Sequence, residues 1–241
     1  STWVQLGADI DGEAAGDRSG YAASLSADGG RVAIGAFHND GGGINAGHTR
    51  VFEFISPDWV QLGFDIDGEA AGDQSGGWDV SLSADGGRVA IGAPLNDGNG
   101  VDAGHVRVFE FISSAWVQLG SDIDGEAAND LSGTVISLSP DGGRLAIGAR
   151  YNSGNGNNAG HVRVYELISS AWVQLGADID GEVAGDQSGG YAVSMSMDGS
   201  RVAIGAHYND GNGANAGHVR VFEFDSSTWV QLGADIDGEA S

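Results

Sequence analysis

The chain has 241 residues, and its 34 acidic side chains against ten basic ones give it a formal net charge of −24 at pH 7. So acidic a surface repels nucleic acid and anionic lipid, and we expect neither nucleic-acid binding nor membrane insertion. The absence of cysteine excludes disulfides, thiolate catalysis and cysteine-ligated zinc.

A repeated segment organises the sequence. It reads W-V-Q-L-G-A-D-I-D-G-E at Trp3, and near-copies begin at Trp59, Trp116, Trp172 and Trp229, at steps of 56 or 57 residues. A period close to 50 residues is typical of a propeller blade with several strands. We therefore predict a single repeat domain, 1–241, with repeats at about 3–58, 59–115, 116–171 and 172–228 and a partial fifth at 229–241. Because the sequence starts without Met and stops inside the motif, we also expect a segment of a longer protein.

The second repeat illustrates the predicted strands. Val80–Ser83 alternates apolar and polar residues and leads into Asp85-Gly86, a strong tight-turn signal. The return strand, 88–93, places Val89 and Ile91 on one face and a glycine where another backbone can approach. A polar Gly/Asn/Asp loop, a third strand from His105 and a fourth strand from Trp116 complete the unit.

These patterns predict an all-β fold, a propeller-type array of four-stranded antiparallel blades with an extra terminal strand. Helix is disfavoured by 43 glycines and by the period-two alternation. The main rival fold is a calcium-binding parallel β-helix, but its repeats recur about every nine residues and these do not.

The stretch around S-L-S-x-D-G-x-R-V-A-I-G-A, followed by G-H-V-R-V-F-E, resembles the FG-GAP repeat, the blade unit of integrin α-chain propellers and of many surface proteins. The resemblance covers essentially the whole chain. The literal G-A-P occurs only at Gly92-Ala93-Pro94. Membership of this family implies an extracellular propeller that serves adhesion or recognition.

Each D-I-D-G-E run, with an aspartate four residues later, offers alternating carboxylates beside a glycine, as Ca²⁺ sites do. The structural alternative is that these carboxylates bond backbone N–H groups of a turn or pair with arginine. The candidate Ca²⁺ ligands are Asp9, Asp11, Glu13, Asp17, Asp65, Asp67, Glu69, Asp73, Asp122, Asp124, Glu126, Asp130, Asp178, Asp180, Glu182 and Asp186.

Histidine recurs as the first residue of the third strand, where we expect a structural role rather than metal binding. The Gly/Asn/Asp loop could also hold an ion, although these residue types are equally what turns require. The recurring histidines are His48, His105, His161 and His218, and the loop candidates are Asn96, Asp97, Asn99 and Asp102.

Repetition argues against catalysis, since an active site is a single asymmetric constellation and most polar residues here occur four times. The positions that differ between repeats flank the loops at one end of the predicted sheets, where propellers bind ligands and where aromatic rings could stack on sugars. Sequence drift is the alternative. These positions are Phe37-His38, Pro94-Leu95, Arg150-Tyr151, His207-Tyr208, Tyr21, Trp78-Asp79, Thr134 and Tyr191.

The sequence thus favours a non-catalytic protein of the cell surface or exterior, with a structural, adhesive or recognition role and possible stabilisation by Ca²⁺. We expect self-association, in filaments or by strand exchange, through the terminal W-V-Q-L-G strands, because a free strand edge pairs readily. The alternatives are a glycan-binding lectin and a propeller hydrolase with its site in the variable loops. The hydrolase requires one cluster unlike its quasi-symmetric mates.

Overall fold

The computed structural model describes residues 2–239, which form strands and turns without any helix. Blade 1 contains β1 (Ala22–Leu25), β2 (Arg31–Ala36), β3 (His48–Ile55), β4 (Asp58–Gln61) and β5 (Ile66–Asp67). Blade 2 contains β6 (Val80–Leu82), β7 (Arg88–Ala93), β8 (His105–Ile112), β9 (Ala115–Gln118) and β10 (Ile123–Asp124). Blade 3 contains β11 (Ser132–Leu138), β12 (Arg144–Ala149), β13 (His161–Ile168), β14 (Ala171–Gln174) and β15 (Ile179–Asp180). Blade 4 contains β16 (Val193–Met195), β17 (Arg201–Ala206), β18 (His218–Phe224), β19 (Trp229–Gln231) and β20 (Ile236–Asp237).

The strands of a blade pair in chain order. In blade 1, β1 pairs β2, β2 pairs β3, and β3 pairs β4, all antiparallel. The hairpin between β1 and β2 closes on Asp28, whose carboxylate accepts hydrogen bonds from Ser26 Oγ at 2.7 Å and Gly30 N at 2.8 Å. The same Ser-x-Asp turn recurs at Asp85, Asp141 and Asp198. The turn chemistry that the sequence predicted therefore sets the first hairpin of every blade.

Each blade has the four predicted strands and, in addition, a two-residue fifth strand. The first half of each D-I-D-G-E run pairs with the start of the third strand, as Ile66 does with Thr49 and Asp67 with His48. Because β4 covers only the second half of β3, the first half keeps a free edge that these two residues fill. The pairing anchors the connection between blades at the end of the sheet where β2 leads into β3.

Apolar side chains lie between successive blades, in three clusters. Val51 of blade 1 packs with Val89 and Ile91 of blade 2, and equivalent clusters join blade 2 to 3 and blade 3 to 4. Glycine allows close approach of the backbones, since a Cβ on Gly92 would lie 2.1 Å from the carbonyl oxygen of Gly133. Both faces of the inner blades are thus buried, as their apolar alternation predicts.

Arginine joins each blade to the next. Arg88 donates to Glu110 of its own blade from Nε and Nη2, at 2.9 and 2.7 Å, and from Nη1 to the Gly142 carbonyl of blade 3 at 3.1 Å. Arg31 and Arg144 repeat this arrangement. A planar guanidinium makes all three bonds at once, which a lysine ammonium cannot do with the same geometry, and this use fits a chain whose basic residues are all arginine.

The four blades form an open arc. Among residues 2–239, no apolar cluster joins blade 4 to blade 1. Val219 on the outer face of blade 4 is accordingly 36% exposed, whereas the equivalent Val162 of blade 3 is fully buried. No helix within that range could cross a membrane.

The surplus W-V-Q-L-G copy is the first one, and it does not complete the last blade. Residues 3–7 form no strand, whereas Trp229–Gln231 is the fourth strand of blade 4. The Leu6 carbonyl instead accepts the indole N–H of Trp59 at 2.8 Å. Trp116, Trp172 and Trp229 donate in the same way to the leucine of the preceding copy. The segment therefore occupies the place that a preceding blade's outer strand takes at every other interface.

Candidate functional site

The four carboxylates of one D-I-D-G-E run separate instead of converging. In the run at 178–186, Asp178 Oδ2 faces His161 of its own blade, and Glu182 Oε2 faces His218 of the next. Asp180, which lies in β15, is exposed between them. Residues two apart share one face of a continuous strand, but β15 is only two residues long, and the chain bends on either side of it, so the three side chains go to different places. Convergence of one run on a single ion, as the sequence suggested, is therefore corrected.

The last aspartate of each run has the turn-capping role that was the structural alternative. Asp186 is buried, and its Oδ2 accepts hydrogen bonds from Val183 N at 3.2 Å and Asn209 Nδ2 at 3.0 Å. Asp17, Asp73 and Asp130 accept equivalent pairs of bonds.

The Gly/Asn/Asp loop is likewise held by its own turns. Asn96 donates to the capping Asp73, Asp97 accepts from the Asp102 N–H, and Asn99 donates to the Gly125 carbonyl. Three of the four side chains that the sequence offered as ion ligands, those of Asn96, Asp97 and Asn99, are therefore engaged in hydrogen bonds.

Carboxylates from two successive runs meet at a histidine instead. The groups are Glu13, His48 and Asp65; Glu69, His105 and Asp122; Glu126, His161 and Asp178; and Glu182, His218 and Asp235. In three of them the histidine Nδ1 lies 3.8 Å from both carboxylates. Residues 2–239 thus hold groups of acidic and histidine side chains that could bind a metal.

The histidines of these groups are buried without hydrogen bonds. In His48, His161 and His218, neither ring nitrogen has a partner within the described part of the chain. Burial lowers the pKa of His48 and, to about 4, that of His161, where the Arg163 cation adds to the effect. Burial and Arg107 also lower the pKa of His105. Neutral imidazoles with lone pairs available are therefore expected at His48, His105 and His161 at neutral pH.

The variable positions produce a second, asymmetric cluster, which we call the Arg150 cluster: Trp78, Arg150, Tyr151, Tyr191 and His207. It takes residues from blades 2, 3 and 4. The Arg150 guanidinium carbon lies 4.5 Å from the ring centroid of Trp78, 4.6 Å from that of Tyr151 and 5.6 Å from that of Tyr191. Arg150 Nη1 donates to the Tyr191 hydroxyl at 3.0 Å.

Arg150 is a buried cation without a carboxylate partner. Only 8% of the residue is exposed, and its Nε has no hydrogen-bond acceptor among residues 2–239. Eight of the ten arginines lie within 4.0 Å of a carboxylate in that range, and Arg150 does not. Leaving a buried charge unpaired is costly. The chain has 34 acidic residues, any of which could have supplied a partner at this position. An anionic group beside Arg150 would offset this cost.

An exposed histidine stands beside this cation. The ring of His207 lies 4.5 Å from that of Tyr191, edge to face, and 4.0 Å from that of Tyr208. Partial burial, and then the Arg150 cation, lower the pKa of His207. An imidazole kept neutral in this way can take a proton from water.

Asp79 is another charge near this end of the blades that occurs in one repeat only. Its Oδ2 accepts the Ile136 N–H of blade 3 at 2.8 Å, and burial raises its pKa to about 6. Two residues further along the chain, Ser81, a serine that recurs in every blade, accepts the Leu138 N–H of blade 3 in the same way. Asp79 thus acts as an additional link between β6 and β11.

The fold is similar to that of a protein from Bacteroides uniformis provisionally described as a 6-phosphogluconolactonase, with a TM-score of 0.61 and 14% identity over 90% of this chain and 55% of that one. It is similar to the periplasmic gluconolactonase of Pseudomonas aeruginosa, with a TM-score of 0.59 and 16% identity over 91% and 57%. It is also similar to the hydrazine synthase of Kuenenia stuttgartiensis, with a TM-score of 0.56 and 14% identity over 88% of this chain and 53% of that one. The chain spans slightly more than half the length of these proteins.

The architecture is therefore an all-β propeller array of four blades, as the sequence predicted. No protein-family model and no curated protein matches the sequence, so the FG-GAP resemblance stays a prediction.

The expectation of a protein without catalytic activity was wrong. It rested on the repetition of the blades, yet two proteins of similar fold are described as lactonases. The structure also contains the feature that the hydrolase alternative requires. The Arg150 cluster has no equivalent in the other blades, because its residues lie at positions that differ between the repeats.

Sequence reasoning found the members of the Arg150 cluster as variable positions but could not assemble them. They come from three blades and are up to 129 positions apart, from Trp78 to His207. The usable signal was that arginine occupies in one repeat a position held by phenylalanine, proline and histidine in the others.

Proposed function

We propose that the chain is part of a propeller hydrolase, that its active site is the Arg150 cluster, and that it opens the ring ester of an anionic sugar lactone. The unpaired, buried guanidinium of Arg150 carries the proposal. Two structural neighbours are described as acting on gluconolactones, and one of those names specifies a phosphorylated sugar.

Arg150 is suited to hold negative charge. The part of the guanidinium not used by Tyr191 can donate to a phosphate, to a carboxylate or to the oxyanion that forms when a lactone carbonyl is attacked. Three surrounding rings keep water away from the cation, which strengthens such bonds.

His207 serves as the general base. A water oxygen bonds to the lactone carbonyl carbon while His207 accepts the water proton. The bond from that carbon to the ring oxygen then breaks, and the proton is returned to the ring oxygen, which leaves as a hydroxyl. Lactone and water give the open hydroxy acid, with no other reactant. The lowered pKa keeps His207 in the form that can accept a proton.

The aromatic rings provide a surface for the sugar. Tyr191 is exposed, and Trp78 and Tyr151 are partly so. Rings of this kind pack against the apolar C–H face of a sugar while Arg150 binds its anionic group. We place the activity outside the cytoplasm, which agrees with the description of one neighbour as periplasmic.

The test compares hydrolysis of 6-phosphogluconolactone and gluconolactone with the spontaneous rates, on the full chain. We expect Arg150→Met to lower kcat/KM for the phosphorylated lactone by about 100-fold, as loss of a charged oxyanion or anion donor does. The matched control is Arg18→Met, since Arg18 is exposed, lies 5.3 Å from the Phe37 ring in blade 1 and also has no carboxylate within 4.0 Å among residues 2–239.

A pH profile separates a catalytic from a structural role. Because the Arg150 cation lowers the pKa of His207, Arg150→Met should move the acidic limb of kcat/KM to higher pH, and His207→Gln should abolish that limb. Rates equal to the spontaneous ones with both lactones would overturn the proposal. Sugar binding without turnover would replace it with glycan recognition.

A further inference from the structure

The groups that unite Glu–His–Asp side chains across blade connections are independent of the Arg150 cluster and of the proposed hydrolysis. The group at Glu126, His161 and Asp178 shows the geometry. His161 belongs to β13, Asp178 to the connection that leaves blade 3, and Glu126 to the connection that enters it. Two chain connections 52 residues apart are therefore brought to one imidazole.

The distances do not fit hydrogen bonds. His161 Nδ1 lies 3.8 Å from Glu126 Oε2 and 3.8 Å from Asp178 Oδ2, beyond the range of a hydrogen bond of about 2.7–3.2 Å. His161 is 1% exposed, and neither ring nitrogen has a partner among the described residues. A buried imidazole that points an unused nitrogen between two carboxylates calls for an occupant.

A divalent metal ion fits these distances. Zinc binds histidine nitrogen and carboxylate oxygen at about 2.0–2.2 Å, so two donors 3.8 Å apart would subtend roughly 120–145° at the ion. That angle is moderately wider than tetrahedral, and a small movement of the exposed Glu126 side chain closes it. One imidazole and two carboxylates leave a fourth position for water.

The neighbouring contacts hold the ligands in place. Asp178 Oδ1 accepts the Gln174 amide at 2.7 Å, which leaves Oδ2 for the ion. Glu126 Oε1 lies 3.8 Å from Arg163 Nη1, so its other oxygen faces the histidine. Glu126 also borders an open cleft of about 470 Å³ at this end of blade 3, which gives an ion a route in.

We propose that the chain binds divalent transition-metal ions, Zn²⁺ in the first place, between successive blade connections, with His Nδ1 and two carboxylates as ligands. The three sites are Glu13, His48 and Asp65; Glu126, His161 and Asp178; and Glu182, His218 and Asp235. The imidazole donor favours zinc over calcium, which prefers six to eight oxygen ligands. Each ion ties the connection on one side of a blade to that on the other.

The experiment is a calorimetric titration of the full chain with ZnCl₂ at pH 7.5, after exhaustive treatment with a chelator. We expect three equivalents of bound zinc and a higher melting temperature in its presence. Asp178→Asn should bind one equivalent less. Its matched control, Asp180→Asn, lies two residues away in the same run, is exposed and belongs to no such group, so it should bind all three.

Two further variants protect the test against misfolding and against surface binding. Glu126→Gln changes a side chain that is 43% exposed, so the blade stays intact while one equivalent is lost. His38→Gln removes a histidine outside the groups and should retain all three. On binding, the ¹⁵N shift of His161 Nδ1 should change.

The proposal is overturned if no zinc binds, if Asp178→Asn and Asp180→Asn bind equally, or if calcium binds and zinc does not. If both aspartate variants lose the same amount of bound zinc, the ligands come from a single D-I-D-G-E run and not from two successive ones.

Discussion

Close backbone contact between blades predicts that one added methyl group will separate them. Gly148 is the fifth residue of the R-L-A-I-G-A strand of blade 3, and an ideal Cβ on it would lie 2.0 Å from the carbonyl oxygen of Gly189 in blade 4. Real Cβ atoms stay at least 3.0 Å from such atoms, so Gly148→Ala must move blade 4 by about 1 Å. Val162 and Ile204, buried in the interface between blades 3 and 4, would lose part of their contact.

The same substitution at Gly205 is the control. Gly205 holds the equivalent position in blade 4, and its Cβ would meet only Ala192 Cβ, at 3.2 Å, and Ala192 O, at 3.7 Å. Overpacking costs about 1–3 kcal/mol, whereas Gly→Ala at an unstrained site stabilises by about 0.4–1 kcal/mol through the unfolded chain. We expect Gly148→Ala to lose about 2–3 kcal/mol of unfolding free energy and Gly205→Ala to change it by less than about 1 kcal/mol.

Urea unfolding followed by tryptophan fluorescence measures both variants. With a slope of about 2–3 kcal/mol/M, the midpoint of Gly148→Ala should fall by about 1 M relative to Gly205→Ala. Midpoints that agree within about 0.2 M would show that the blades are not in contact at this glycine and would refute the interface.

Three further changes test other contacts. Trp116→Ala should lower the free energy of unfolding by about 3 kcal/mol, and Trp116→Phe, which loses only the 2.7 Å hydrogen bond to the Leu62 carbonyl, by about 1 kcal/mol. Trp3→Ala, at a fully exposed copy, should lower it by less than about 0.5 kcal/mol. Equal losses at Trp3 and Trp116 in urea titrations would refute the packing of Trp116. Asp79→Asn should raise the free energy of unfolding by up to about 3 kcal/mol at pH 7, because burial raises the pKa of Asp79 to about 6 and the folded protein therefore holds an unfavourable carboxylate at that pH. Below pH 3.8 the carboxyl group is protonated in the folded and unfolded states alike, and the substitution should have no effect. An effect that does not change with pH would contradict this. Deletion of residues 1–7, which carry the exposed Trp3, Val4 and Leu6, should abolish the predicted self-association in light scattering. Identical masses for the full chain and the shortened chain would exclude this segment as the contact.

Local signals were enough to predict the blades. Val89 and Ile91 alternate with smaller residues, and the structure buries both in one interface, as the period-two pattern implies. The fifth strand could not be predicted this way, because Ile66–Asp67 is too short to show a period. Its pairing depends on where β4 stops on β3, which is a property of the sheet rather than of the two residues.

The candidate metal groups were missed for a related reason. Sequence reasoning grouped Asp65, Asp67 and Glu69 because they are neighbours in the chain. The structure brings Asp65 to Glu13, 52 positions away, and to His48, since every connection between blades lies beside the next one. Spacing within a run therefore gave the right residue types but the wrong partners.

Repetition supplies an internal control for what the fold requires. Eight arginines occupy positions that hold arginine in all four repeats, and each has a carboxylate partner, so those arginines belong to the architecture. At the position of Arg150 the other blades have phenylalanine, proline and histidine, and they form the same strands. The blade therefore does not need a cation there, and the desolvation of an unpaired guanidinium opposes its presence. A residue that the fold does not require and that burial disfavours points to a ligand, because a bound anion would restore the lost solvation.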